Sequence, residues 1–184
     1  MNAQEILALY ANGHRDFSHV SLVQVCLTNA KLIGAQLVGA ELVGAELVGA
    51  DLTAAHLNQA KLNQANLAHA AMIQACLTQA DLSNADLSGA NLSQADLSGA
   101  DLSRANLGGS NLCKADLSKA NLSGVDLRCA DLTGVNLRDA NLSDADFTGA
   151  YLGEADLTGA NLEGTNLEKA GLSQTKMPDG AVHA

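Results

Sequence analysis

Four thiols, five imidazoles and twenty carboxylates are the side chains of this 184-residue sequence whose types could do chemistry. Cys26, Cys76, Cys113 and Cys129 offer nucleophiles or soft metal ligands. The histidines offer bases or further ligands, and paired carboxylates would serve acid–base work. Their spacing organises little of this. The sequence holds no CxxC or HExxH, no phosphate-cradling glycine loop, no dinucleotide fingerprint and no nucleophile elbow. The acids are scattered as a solvated surface would scatter them, with a net charge of −10. These observations predict no catalytic residue, no metal site, no cofactor and no enzyme. Irregular cysteine spacing predicts free thiols in a reducing cytoplasm.

What would position these side chains is a period of five. From Leu22 to Leu172 every fifth residue is a large apolar one: 31 centres, of which 29 are Leu, one Met72 and one Phe147. Two residues earlier stands a small residue, Ala without exception from Ala30 to Ala105. The unit reads Ala-(Asp/Asn)-Leu-x-x, as in ADLSG and ANLSQ. A helix turns about 140° in five residues, which scatters the centres around its surface. A flat strand sends successive centres to opposite faces, because its period is two. Only a chain that turns by a fixed angle every five residues points every centre at one axis. One repeat buries too little apolar surface to order its own backbone, so repeats must stack. Leu22, Met72, Leu82, Leu127 and Phe147 are accordingly core candidates, and 2% aromatic content suits a core of Leu and Ala.

The run of A(D/N)LXX units resembles the pentapeptide-repeat family over about four-fifths of the chain. The resemblance implies an all-β fold, a right-handed quadrilateral β-helix with 20 residues per coil. Periodicity alone yields a corner every five residues and not the number of sides. With 20-residue coils the run makes about eight coils, a rod roughly 38 Å long at ~4.8 Å per coil. The expected organisation is an N-terminal helical cap and lead-in over 1–19, the β-helix over 20–177 and a tail over 178–184. In the cap, Asn2 and Glu5 have capping-box spacing, Ile6, Leu9 and Tyr10 form one apolar side, and Gly13 suits the stop. The helix would lie as a lid on the first coil's open edge. The two ends also resemble those of cyanobacterial members of the family, one of which influences heterocyst differentiation. Pro178, an awkward residue for an edge strand, would discourage stacking at the far end.

The repeats have two textures. From Asp81 to Asn166 the residue before the centre is Asp or Asn in 17 of 18 repeats, and from Lys31 to Cys76 in only 2 of 10. Short Asp and Asn side chains bond the backbone beside a corner, so the later coils read as plain scaffold. The earlier coils carry branched aliphatics directly after Leu: Ile33, Val38, Val43, Val48 and later Ile73. With Glu41, Glu46 and Asp51 beside them, the first four make a collar that is the candidate partner surface. Glycines two residues after the centre mark corners that require positive φ.

Under the 20-residue coil that the resemblance implies, Gln36, His56, Cys76 and Asp96 stack in one outward column. A thiol beside an imidazole is a conceivable reactive group or half of a metal site. A flat wall with no pocket and no fourth ligand weighs towards coincidence. Some members of the family resemble B-DNA in shape and bind type II topoisomerases. About 38 Å of duplex carries roughly 22 charges, against a net −10 spread over the four walls as about −3, −3, −1 and −2, each with Lys or Arg. The adjacent acids Asp96, Asp116, Asp126 and Asp146 are where such a DNA mimic would act on gyrase. The large interrupting loops of some of those relatives are missing. The preferred reading is a protein-binding or regulatory scaffold with a protein partner still to be identified. No membrane or direct nucleic-acid contact is expected, and the chain is expected to be a monomer or a weak dimer through its C-terminal end.

Overall fold

Residues two, three and four apart in a repeat do different jobs, and backbone hydrogen bonding separates them. In the computed structural model, which describes residues 1–183, parallel bridges join residues 20 apart, from Asp16–Gln36 to Asp156–Lys176. Each 20-residue coil has four bridging residues and four turns, one of each per repeat. The repeat around Leu102 accounts for all five of its N–H groups. Leu102 N–H donates to Asn121 O in the next coil (2.7 Å) and Arg104 N–H to Ser123 O (2.9 Å). Ala105 N–H closes the turn onto Leu102 O (3.0 Å), and Asn106 N–H reaches back to Ala85 O (2.9 Å). The fifth, Ser103 N–H, is taken by the Asp101 side chain at 2.9 Å. That last bond is why Asp or Asn precedes the centre: the side chain satisfies the one donor the coils leave over.

Two of five residues lie in the turn, so no side is long enough for a multi-residue strand. Each wall is a ladder of isolated bridges. The corner residue two after the centre has positive φ throughout, with the i→i+3 bond of a type II turn. The glycines two residues after a centre, such as Gly34, Gly39, Gly89 and Gly99, take this conformation, and Gln64, His69, Arg104, Lys119 and others adopt it as well, with φ near 58–60°. Ladder bonding outweighs a cost of about 1–2 kcal/mol per left-handed residue.

Leu22, Met72, Leu82, Leu127 and Phe147 are all buried, as are the alanines that stand two residues before the centres from Leu32 to Phe147. Ser110 stands where Ala usually does. Its Oγ is buried without a partner, whereas Thr165 and Thr175 at equivalent positions donate to Leu142 O (2.8 Å) and Leu152 O (2.6 Å). Ser110→Ala should therefore stabilise the fold by about 1 kcal/mol or more, read as a raised urea midpoint. A lowered midpoint would mean that the hydroxyl has a partner in solution.

The single helix among the described residues, α1 (Ala3–Ala11), closes the N-terminal end. Asn2 and Glu5 form the capping box, with Asn2 Oδ1 accepting from Glu5 N–H and Glu5 Oε2 accepting from Asn2 N–H, both at 2.9 Å. Ile6 is fully buried, with Tyr10 and Ala3 packed partly against the core. Leu9 is 40% exposed, contrary to the single apolar side expected from sequence. The inward stripe is Ala3–Ile6–Tyr10, and a residue three after Ile6 points about 60° to the other side of it. Tyr10 donates to Ile33 O (2.9 Å) and stacks under the Arg15 guanidinium, 3.8 Å from its ring centre. At the other end the chain folds back in a hairpin, Lys176 bridging Val182 antiparallel.

Candidate functional site

The walls carry short side chains whose neighbours are one coil above and below, so any site must be built from columns. Bridges place Gln36, His56, Cys76 and Asp96 in succession. Within that column the Cys76 thiol is engaged by an amide: Asn58 Nδ2 donates to Cys76 Sγ (2.8 Å) and to Thr78 Oγ1 (2.6 Å). Asn58 sits two residues after His56 and had no signal in the sequence until the coils were aligned. Among the described residues no group of three or more His, Cys, Asp or Glu is arranged to hold a metal ion, and all four cysteines are free thiols.

The acids are largely occupied by their own walls. Asp126 and Asp146 bridge each other's coils, but Asp126 also forms a two-pronged ion pair with Arg128, Nη2 to Oδ2 at 2.6 Å. That guanidinium holds the Asp126 carboxyl below its ordinary range. Burial works to raise the Asp156 carboxyl. The Thr158 hydroxyl and N–H, Arg138 and Lys176 outweigh it and hold the group at about 2. Asp116 and Asp146 accept from Asn136 and Asn166 one coil on. A surface hollow of about 500 Å³ lies beside Asp139, Asp144, Gly159 and Glu163.

The collar has a different character. Ile33 is 45% exposed, and Val38, Val43 and Val48 are half-buried. Val23, which lies outside the sequence-derived set, is 49% exposed and stands one coil above Val43. Its signal was the same, a β-branched residue directly after a centre. The residues preceding these centres are Ser21, Cys26, Lys31, Gln36, Glu41 and Glu46, none of which bonds the next corner. Among the described residues, the N–H groups of Val23, Thr28, Ile33, Val38, Val43 and Val48 accordingly have no hydrogen-bond partner. The side-chain bond is present before this run at Ser18 N–H, returns at Thr53 N–H (3.1 Å from Asp51) and Ala68 N–H, and becomes regular from Ser83. Branched side chains favour the extended conformation of that turn position and hold it without the missing bond. Glu41 pairs with Lys61 at 3.2 Å, and Glu46 accepts from Asn66.

The family model for pentapeptide repeats matches in eight copies, over residues 16–47, 45–84, 80–118, 100–139 and 140–178. The chain belongs to the pentapeptide-repeat family. This pentapeptide-repeat protein is 33% identical to HetL of Nostoc sp. strain PCC 7120, a pentapeptide-repeat protein involved in heterocyst differentiation regulation. The alignment covers 100% of both chains, with a TM-score of 0.49. A 29-residue stretch is 69% identical to the uncharacterized protein slr1851 of Synechocystis sp. and spans 16% of this chain and 18% of that relative. QnrB1, a plasmid-mediated fluoroquinolone resistance protein, shares the fold at 19% identity, covering 84% of this chain and 87% of that one, with a TM-score of 0.51. Among the described residues no helix is long and apolar enough to cross a membrane.

Proposed function

We propose that this pentapeptide-repeat protein is a non-enzymatic, cytoplasmic scaffold that regulates by binding another protein through its first coils. The observation that carries the reading is the run of six corners from Val23 to Val48. There, five exposed or half-buried aliphatic side chains and Thr28 lie beside backbone N–H groups with no partner among the described residues. A partner segment placed there finds both apolar surface and donors. Ile73 repeats the combination once, but from Ser83 to Thr148 the coils offer neither, because Asp and Asn consume the donors and no aliphatic follows a centre. A regulatory role suits such a surface, because what binding alone can change is the state of the protein bound. In finer detail we read the body over 20–177 as a right-handed quadrilateral β-helix of about eight coils, with a cap over 1–19 and a tail over 178–184. The +20 parallel bridges support that reading.

Replacing Val38, Val43 and Val48 together with Thr or Ser should leave stability nearly unchanged and reduce partner recovery from the native host's lysate several-fold. Each aliphatic would contribute up to about 1.5 kcal/mol if fully covered. Undiminished recovery with the triple variant, but loss when Asp126 and Asp146 become Asn, would move the surface to the acidic columns. The DNA-mimic alternative also requires salt-sensitive inhibition of gyrase supercoiling. No inhibition is expected, because Asp126 and Asp156 are already ion-paired within their walls.

A further inference from the structure

The two ends of the solenoid are chemically opposite. Each wall of a coil sends two N–H groups towards the next coil and receives one, as the Leu102 repeat does. A coil with nothing after it therefore presents two donors and one acceptor per wall. At the C-terminal end two walls are left this way, and a third presents one donor and one acceptor because the N–H of Gln174 is taken. The N–H groups of Leu162, Gly164, Leu167, Lys169 and Leu172, and the carbonyls of Ala160, Thr165 and Ala170, have no backbone partner among the described residues. Leu162, Leu167 and Leu172 are half-buried there, unlike the sealed Leu157. The fourth wall is closed by the hairpin, through His183 N–H to Thr175 O and Met177 N–H to Ala181 O, and His183 O also accepts from Gln174 N–H of the third wall.

The N-terminal edge is the complement, with two carbonyls and one N–H per wall. Its closure by α1 supplies what acceptors need: the Met1 ammonium donates to Ser21 O (3.2 Å), the Tyr10 hydroxyl to Ile33 O (2.9 Å), and His14 Nε2 lies 2.7 Å from Asp16 O. Ile6 seals the apolar cross-section. The attachment is slight: nine residues, one of them fully buried, in a helix too short to be stable alone.

We propose that the C-terminal edge is a docking surface for the N-terminal edge of a second copy whose α1 has detached. Copies then join head to tail, and α1 is the stopper that prevents it. Donors meet acceptors on every wall and Leu meets Leu across the junction. The hairpin exchanges its bonds for others of the same kind. Two C-terminal edges facing each other would match less well, since five donors and three acceptors on each leave donors over. A heterologous contact of this kind does not close on itself and grows as a linear array.

The test uses the full chain and sedimentation velocity. The native chain should stay monomeric, and Ile6→Asp should form species whose mass rises with concentration beyond a dimer. Ile6→Asp combined with Leu167→Asp should be monomeric alone, yet form a 1:1 pair with the native chain at twice the monomer mass. Trypsin cleavage after Arg15 reports detachment, and Tyr10→Ala is added should Ile6→Asp leave the site protected. The proposal is overturned by a detached yet monomeric Ile6→Asp, or by an α1 that stays protected in both variants. A solenoid that unfolds together with α1 overturns it as well. A native chain that dimerises by itself while the double variant fails to pair with it would overturn it in favour of a tail-to-tail contact.

Discussion

Leu127→Asp should unfold this protein's central coils, while Ser123→Asp, four residues away, should hardly register. Leu127 is fully buried, with the buried centres Leu107 and Phe147 at the same place in the coils before and after it. A carboxylate there meets no donor and no water, a cost of several kcal/mol against a total stability of about 5–15 kcal/mol. Ser123 is half-buried on the wall, and its backbone N–H is held by Asn121, a bond that the substitution leaves in place. Its effect should fall within about 0.5 kcal/mol. Thermal unfolding followed by circular dichroism separates the two. Equal melting temperatures would mean that the centres do not face the axis.

A second large effect is expected from adding bulk rather than charge. Ala100 is completely buried, with Ala80 and Ala120 at the same place in the adjacent coils. Its N–H closes the turn onto Leu97 O and its carbonyl accepts from Asn121 N–H, so the backbone has no freedom to retreat. Ala100→Leu should cost about 1–3 kcal/mol or more, seen as a lowered urea midpoint. Thr165 is no precedent for tolerance: it lies at the same position in the last coil, half-buried, with its hydroxyl bonded to Leu142 O. An unchanged midpoint would show that the alanine column is not what sets the coil's width.

Both arguments rest on features readable from residue order alone, because a five-residue period is incompatible with a helical stripe or a pleated face. The number of sides was not readable that way. It depends on how far each corner bends, and Gln, His, Lys and Arg take the same positive φ as Gly there. The role of Asp and Asn was legible as a local bond but not as the satisfaction of one particular donor, which required the partners of the other four N–H groups to be known. The outward column of His56 and Cys76 was legible once 20 residues were taken per coil. The Asn58 amide that engages the thiol was not, because it comes from a different position of the repeat. Leu9 illustrates the limit for short helices, where one buried contact by Ile6 fixes the rotation. Val23 escaped notice because its repeat opens with Val20 rather than with the Ala that opens the repeats of Ile33, Val38, Val43 and Val48.

The unequal direction of the inter-coil bonds has an electrical consequence for the rod as a whole. Of the three peptide groups in each repeat that lie along the axis, two point their N–H towards the C-terminal end and one points the other way. The surplus repeats in register along every wall, so the peptide dipoles do not cancel. They add, as aligned peptides add in a helix but with the opposite polarity along the chain, to a permanent moment that makes the first coil the negative pole and the last coil the positive one. The chain's own amino terminus, an ammonium resting on the Ser21 carbonyl, sits at the pole that attracts it. Charged molecules approaching the solenoid thus meet ends of opposite sign, whatever the acidic side chains along its walls contribute.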